Sequence, residues 1–152
     1  MDMDKKTLIL LIVCIAVFAF VALSYAGVFD QEKTVKVGEI NFKLPEGYKT
    51  AGVTKQGYQK ITNGLDSIYF TCVNDDDISD HVKNYVNSKV SKNRTVTISN
   101  FTTDGVFVYK ANCSDKSSQY WFVNGGKTYS FFTWKETFKI DDIARDLIKS
   151  SK

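Results

Sequence analysis

The chain has one proline, one histidine and two arginines in 152 residues. A lone histidine, His81, has no partner at catalytic spacing, and nucleophilic or general acid–base catalysis needs a held pair. Next to Asp80, on what looks like a helix, it reads as a surface residue. The formal net charge is only +3, carried by scattered lysines with no basic run. That excludes the clustered patch that nucleic-acid binding requires. Three cysteines, Cys14, Cys72 and Cys113, are too few for a disulfide scaffold. No repeat, low-complexity tract or long Gly, Ser or Pro linker is present, so the residues after the first apolar run suit one domain.

What is present begins with residues 7–29, TLILLIVCIAVFAFVALSYAGVF, a run without a charged side chain. As a helix it would extend roughly 34 Å at about 1.5 Å per residue, enough for a hydrocarbon core of about 30 Å. Lys5 and Lys6 precede it, which favours a cytoplasmic amino terminus, and Tyr25 and Phe29 sit where aromatic rings prefer the headgroup level. The expected organisation is a cytoplasmic stub (1–6), a transmembrane signal anchor (7–29), a short tether (30–33) and an extracytoplasmic domain (34–152). The localisation is then the cell membrane, single-pass. The alternative is a cleaved signal peptide, with Ser24-Tyr25-Ala26 as a small-x-small site and a secreted product. Val13 before Cys14 does not suit a lipoprotein signal, so Cys14 reads as a small apolar residue of the span.

Beyond the run, alternation predicts strands over 34–37, 40–44, 57–62, 66–74, 95–101 and 105–112, with 49–56 undecided. In 66–74, Ile68, Phe70 and Cys72 share one face and Tyr69, Thr71 and Val73 the other. Residues 119–123 and 127–134 form the clearest hairpin, turning at Asn124-Gly125-Gly126. Because that turn is not followed by a helix, Gly125-Gly126 is no phosphate cradle. Two segments change to helical period: one from Ile78 through Val82, Tyr85, Val86 and Val90, and one through Ile140, Ile143, Ala144, Leu147 and Ile148. Tyr120, Trp121, Phe122, Tyr129, Phe131, Phe132 and Trp134 make the last hairpin apolar on both faces, the mark of a strand covered on both sides. The expected fold class is α+β, a mostly antiparallel sheet of six to eight strands with two amphipathic helices, one on each face or both on one, preceded by one amino-terminal transmembrane helix.

Within this pattern Phe42-Lys43-Leu44-Pro45-Glu46-Gly47-Tyr48 resembles the F-x-L-P-x-G-W/Y opening of PsbP- and Mog1-like domains. The order strands, helix, four strands, closing helix is similar too. The resemblance implies a secreted or membrane-tethered adaptor without catalysis, and it transfers no functional residue.

Candidate sites are few. Asp75-Asp76-Asp77 with Asp80 lacks the spacing and sixth-position glycine of a calcium loop; Asp77 capping a helix, with Asp80 three residues on, accounts for it. The aromatic cluster reads mainly as core, and alternatively as a glycan- or peptide-binding face. Cys72 and Cys113 both fall near the ends of predicted strands. If those strands are neighbours, the Cα separation meets the roughly 4.4–6.8 Å of a disulfide, worth about 4 kcal/mol in the chain-entropy view; the alternative is two buried thiols. Asn93, Asn100 and Asn112 head N-x-Ser/Thr acceptor sequences, and an extracytoplasmic location permits their glycosylation without requiring it. No catalytic, cofactor-binding or metal-ligating set is identified. The expected function is therefore a non-enzymatic, membrane-anchored extracytoplasmic domain, without cofactor, binding a protein or envelope component. The alternative is a glycan or small-ligand receptor using the aromatic sheet. The expected partners are the lipid bilayer and an envelope protein or glycan, with no nucleic acid.

Overall fold

The computed structural model describes residues 5–25 and 33–152. The chain forms two compact units, which divide between residues 32 and 33. The first carries one helix, α1 (Lys5–Tyr25), with Cys14 exposed on it. Among the described residues no helix is long and apolar enough to cross a membrane. Parts of the expected amino-terminal organisation lie outside the described residues: the stub at 1–4, the span at 26–29 with the cleavage point near Ala26, and the tether at 30–32.

The second unit is an α+β domain. Its strands are β1 (Thr34–Val37), β2 (Ile40–Lys43), β3 (Lys49–Val53), β4 (Gln59–Thr62), β5 (Ser67–Val73), β6 (Val96–Thr103), β7 (Val106–Cys113), β8 (Ser118–Asn124) and β9 (Lys127–Thr133). Its helices are α2 (Ile78–Val90) and α3 (Ile140–Lys149). Seven strands form one sheet in the order β3-β4-β5-β9-β8-β7-β6, all neighbours antiparallel; β1 and β2 form a separate hairpin. The undecided stretch 49–56 contributes β3. It was illegible because only Val53 is a large apolar residue there, and all five positions of the strand are exposed or half-buried.

One helix covers each face. The first face carries Ile61, Ile68, Phe70, Val108, Tyr120, Phe122, Tyr129 and Phe131. Over it lie the β1–β2 hairpin, through Val35, Val37, Ile40 and Phe42, and α3, through Ala144, Leu147 and Ile148. Phe42, the first residue of the F-x-L-P-x-G-Y stretch, is wholly buried against Phe70, Phe122 and Tyr129. The hairpin tip closes tightly: Gly38 has φ +58°, and a Cβ there would stand 2.7 Å from Cys72 Sγ. The Tyr129 hydroxyl accepts from the Glu39 amide at 3.3 Å. At the α3 end, the buried Tyr120 hydroxyl donates to Asp141, which also takes Lys110 at 2.6 Å. Burial first, then that bond, push the Tyr120 pKa well up; despite its own desolvation Asp141 is held low by Lys110 and Tyr120.

The second face carries a smaller core, Val82 of α2 against Ala111 and Trp121, with Tyr85 and Tyr109 alongside. Asp77 caps α2 as expected, its Oδ1 accepting from the Asp80 amide at 3.1 Å.

The two ends of the sheet differ. β3 is five residues long and its register with β4 shifts between Thr50 and Val53, at Gly52. β6 is eight residues long and pairs with β7 without a break from Val96↔Cys113 to Thr103↔Val106. The β6–β7 turn is Asp104-Gly105, both at positive φ (53° and 79°), the two-residue geometry whose twist matches the strands.

The expected Cys72–Cys113 bridge is corrected by this topology. Both cysteines are free. β9 and β8 lie between β5 and β7, so the two strands are not neighbours. The side chains also lie on opposite faces: Cys72 packs under the β1–β2 hairpin, whereas Cys113 shares the parity of Ala111 on the α2 face.

Candidate ligand-binding face

The α2 face is only half covered. α2 packs over the β6–β7–β8 side, which leaves the β4–β5–β9 side open. On that open half four aromatic rings form a shelf. Tyr69 and Phe132 are register partners on β5 and β9 and stack with centroids 5.4 Å apart, 17° from parallel. Tyr58 meets Phe132 edge-on at 5.0 Å, and Trp134 does so at 4.9 Å. Phe132 is buried, but Trp134 is 57% exposed. Its ring is thus held at the edge by its neighbours while much of its surface faces solvent. The Lys60 ammonium lies 5.8 Å from the Tyr69 centroid.

Between this shelf and α2 runs a groove of about 430 Å³, within the usual range of ligand pockets. Tyr58, Phe132 and Trp134 line one wall, Tyr85, Ser88, Lys89 and Lys92 the other, with Thr71 and Gln119 in the floor. A smaller cavity of about 160 Å³ lies beside it, reaching His81 and Trp121. The floor is polar and ordered: the Thr71 and Ser130 hydroxyls are 2.7 Å apart, and Gln119 Nε2 donates to Ser130 at 3.4 Å.

The α2 wall is fixed by a half-buried ion pair. Lys89 Nζ donates to Asp115 at 2.9 Å and to Ser117 Oγ at 3.3 Å, and Ser117 returns both its amide and its hydroxyl to Asp115. Burial alone would raise the Asp115 pKa; the bonds from Ser117 and Lys89 outweigh it and hold the carboxyl far below its usual range. The same pairing raises Lys89 against its own desolvation. Tyr85 packs edge-on against Trp121 at 5.1 Å. Its pKa is raised, first by burial. Ser117 lies close to its hydroxyl, yet no bond of proper geometry joins them, so the Tyr85 hydroxyl has no partner among the described residues. A buried hydroxyl left unbonded costs roughly 1–3 kcal/mol.

The expected aromatic cluster is therefore divided by the sheet. Tyr120, Phe122, Tyr129 and Phe131 are core on the hairpin face; Trp121 is buried under α2; Phe132 and Trp134 belong to the open shelf. His81 pairs with Asp75 at 2.7 Å on the surface at the end of α2. Three of the four carboxylates are engaged locally: Asp75 accepts from the Asp77 amide, Asp77 caps the helix and Asp80 accepts from Asn84 Nδ2. No group of three or more metal-ligating side chains occurs among the described residues. Gly125-Gly126 is the β8–β9 turn. Asn93, Asn100 and Asn112 are all exposed, after α2, in mid-β6 and on β7 respectively. The sequence reading missed Tyr58 and Tyr69 as partners of the cluster. The alternation of 66–74 already put Tyr69 on the face opposite Phe70, but only strand order reveals that Phe132 lies beside it.

No family model and no curated protein matches the chain. Among solved structures, the chain is similar to the solution structure of cyanobacterial PsbP (CyanoP) from Synechocystis sp. PCC 6803. The TM-score is 0.48 at 10% sequence identity, covering 72% of this chain and 84% of that one.

Proposed function

We propose that this chain is a non-enzymatic, single-pass membrane protein whose extracytoplasmic domain binds an envelope glycan in the groove between α2 and the aromatic shelf. The observation that carries the reading is the pairing of a half-exposed aromatic platform with a polar floor. Sugar rings present C–H faces that pack on aromatic rings and hydroxyls that need hydrogen-bond partners. Trp134 and Tyr58 offer the first; Thr71, Gln119 and Ser88 offer the second. The apolar residues 7–29 supply the anchor in this reading, with Lys5 and Lys6 on the cytoplasmic side.

The test is titration of full-length protein with solubilised envelope polysaccharide, followed by tryptophan fluorescence. Saturable quenching or shift, lost in Trp134→Ala, is expected. No change in wild type, or an unchanged response in Trp134→Ala, overturns the glycan reading. Topology is tested separately: resistance to alkaline carbonate and sensitivity of the carboxyl-terminal domain to external protease are expected, and release by carbonate overturns the anchor.

A protein partner is the second reading. Leu65 and Trp134 are both exposed, at 83% and 57%, and Lys135 Nζ bonds the Leu65 carbonyl at 2.7 Å. That places two large apolar side chains at one end of the sheet, of the kind that anchors protein contacts. Crosslinked capture of a defined protein, abolished by Leu65→Ser but not by competing polysaccharide, would favour it.

A further inference from the structure

We propose that β6 is the pairing edge for a second copy of this chain, joined antiparallel about a two-fold axis at Ser99. The proposal is independent of the glycan groove. A sheet edge presents unpaired N–H and C=O groups, and proteins usually blunt it with short strands, charges, proline or bulges. β3 shows such devices: five residues, an irregular register at Gly52, and Lys49. β6 shows none of them. Its sequence VTISNFTT has no charge, proline or glycine over eight residues, and its register with β7 is unbroken.

The ladder fixes which groups are free. The two-residue turn makes Thr103 and Val106 a hydrogen-bonded pair, so bonded and non-bonded pairs alternate back along the strand. Thr97, Ser99, Phe101 and Thr103 then turn their amides and carbonyls to β7. Val96, Ile98, Asn100 and Thr102 turn theirs outward.

A two-fold axis normal to the sheet keeps each face on its own side. Opposed residues must therefore share a face, which limits the register to centring on a residue. Centred on Ser99, Val96 opposes Thr102 and Ile98 opposes Asn100 of the second copy, so all four outward residues are paired. Shifting the centre to Asn100 would leave Val96 opposite Asp104, in the turn. The Ser99 register also brings the flanking charges into complementarity. Arg94 and Asp104 are equidistant from Ser99, so each copy's Arg94 falls beside the other's Asp104. Asp104 is held near this edge by Lys152 at 2.9 Å, and Arg94 is exposed. No like charges are opposed along the strand. The 37% exposed Ile98 would be covered on the α2 face.

Symmetry makes the test specific. Ser99 would face its own copy in a non-bonded pair, with Cα atoms roughly 4.5 Å apart, within disulfide reach. Thr97 would face Phe101 instead of itself. In full-length protein in membranes, on a Cys14→Ser background, Ser99→Cys should give a disulfide dimer on oxidation, several-fold more than Thr97→Cys. Both side chains are exposed, so neither change burdens folding. Adding Asn100→Pro removes one outward donor and leaves the β7 ladder intact; it should abolish the Ser99→Cys dimer while the thermal melt stays cooperative. Equal dimer from Ser99→Cys and Thr97→Cys, no dimer from either, or a dimer that survives Asn100→Pro overturns the proposal.

Discussion

The two faces of the sheet are built from the same kinds of residue and end differently. On the hairpin face, the β1–β2 hairpin and α3 together bury Phe42, Phe70, Tyr120, Phe122, Tyr129 and Phe131. On the other face α2 buries only Val82, Ala111 and Trp121, and beyond it Tyr58, Tyr69, Phe132 and Trp134 pack mainly against one another. Aromatic content therefore does not distinguish core from surface here. What distinguishes them is whether a second layer arrives. The hairpin face has two covering elements and one helix must serve the whole of the other, so half of it is left uncovered.

Substitutions sharpen this contrast, beginning with the covered face. Phe42→Ala removes the ring at the centre of the hairpin's contact and should cost about 3–5 kcal/mol, read as a lower midpoint in urea denaturation. A loss under about 1 kcal/mol would mean the hairpin is not an integral layer. Gly38→Ala should cost about 1–2 kcal/mol for its left-handed backbone, with a further loss from the contact with Cys72 Sγ. Cys72→Ala in the same chain should recover part of that further loss, since Tyr129 also stands 3.0 Å from the added Cβ, and should leave the backbone cost in place.

On the open face, acid acts through the α2 wall. Asp115 has its pKa depressed in the folded state. Its stabilisation is therefore present above the unfolded value of about 3.9 and is lost as pH falls toward the depressed folded one. Asp115→Asn should lower the melting temperature at neutral pH, and the deficit should shrink as pH falls below about 4. A deficit that is constant across that range would show that the Lys89–Asp115–Ser117 cluster does not contribute through charge. The smallest stability effect belongs to Trp134→Ala, expected within about 0.5 kcal/mol of wild type. If it instead destabilises as strongly as Phe42→Ala, the shelf is core and the contrast between the faces fails.

Much of the framework was legible in the sequence because its periods are clean. Alternation located the strands at 34–37, 40–44, 66–74 and 105–112, and the change of period at Ile78 and Ile140 located both helices. Strand order was not legible. Every strand pairs antiparallel, and nothing in the residues of β5 says that β9 lies beside it. That gap explains the cysteine error: strand ends that look equivalent in sequence lie on opposite faces with two strands between them. It also explains why the shelf escaped notice, since its rings come from the β4 approach, β5 and the end of β9. The Lys89–Asp115–Ser117 cluster joins residues 26 and 28 apart; no local pattern marks such a contact.

The β1–β2 hairpin has a consequence for how the domain bears load. A two-stranded hairpin is marginal alone, and this one is held by its buried side chains, the Glu39–Tyr129 bond and a bond from the Lys43 amide to Ser150 Oγ at 3.0 Å. It is also the first element of the domain reached from the amino-terminal side. Tension passing along the chain from that side meets the hairpin before the seven-stranded sheet. The hairpin would then peel away first, releasing roughly 45 Å of chain up to Gly47, and expose the apolar face beneath it. Single-molecule pulling from Thr34 should resolve this release as a separate step that precedes unfolding of the sheet.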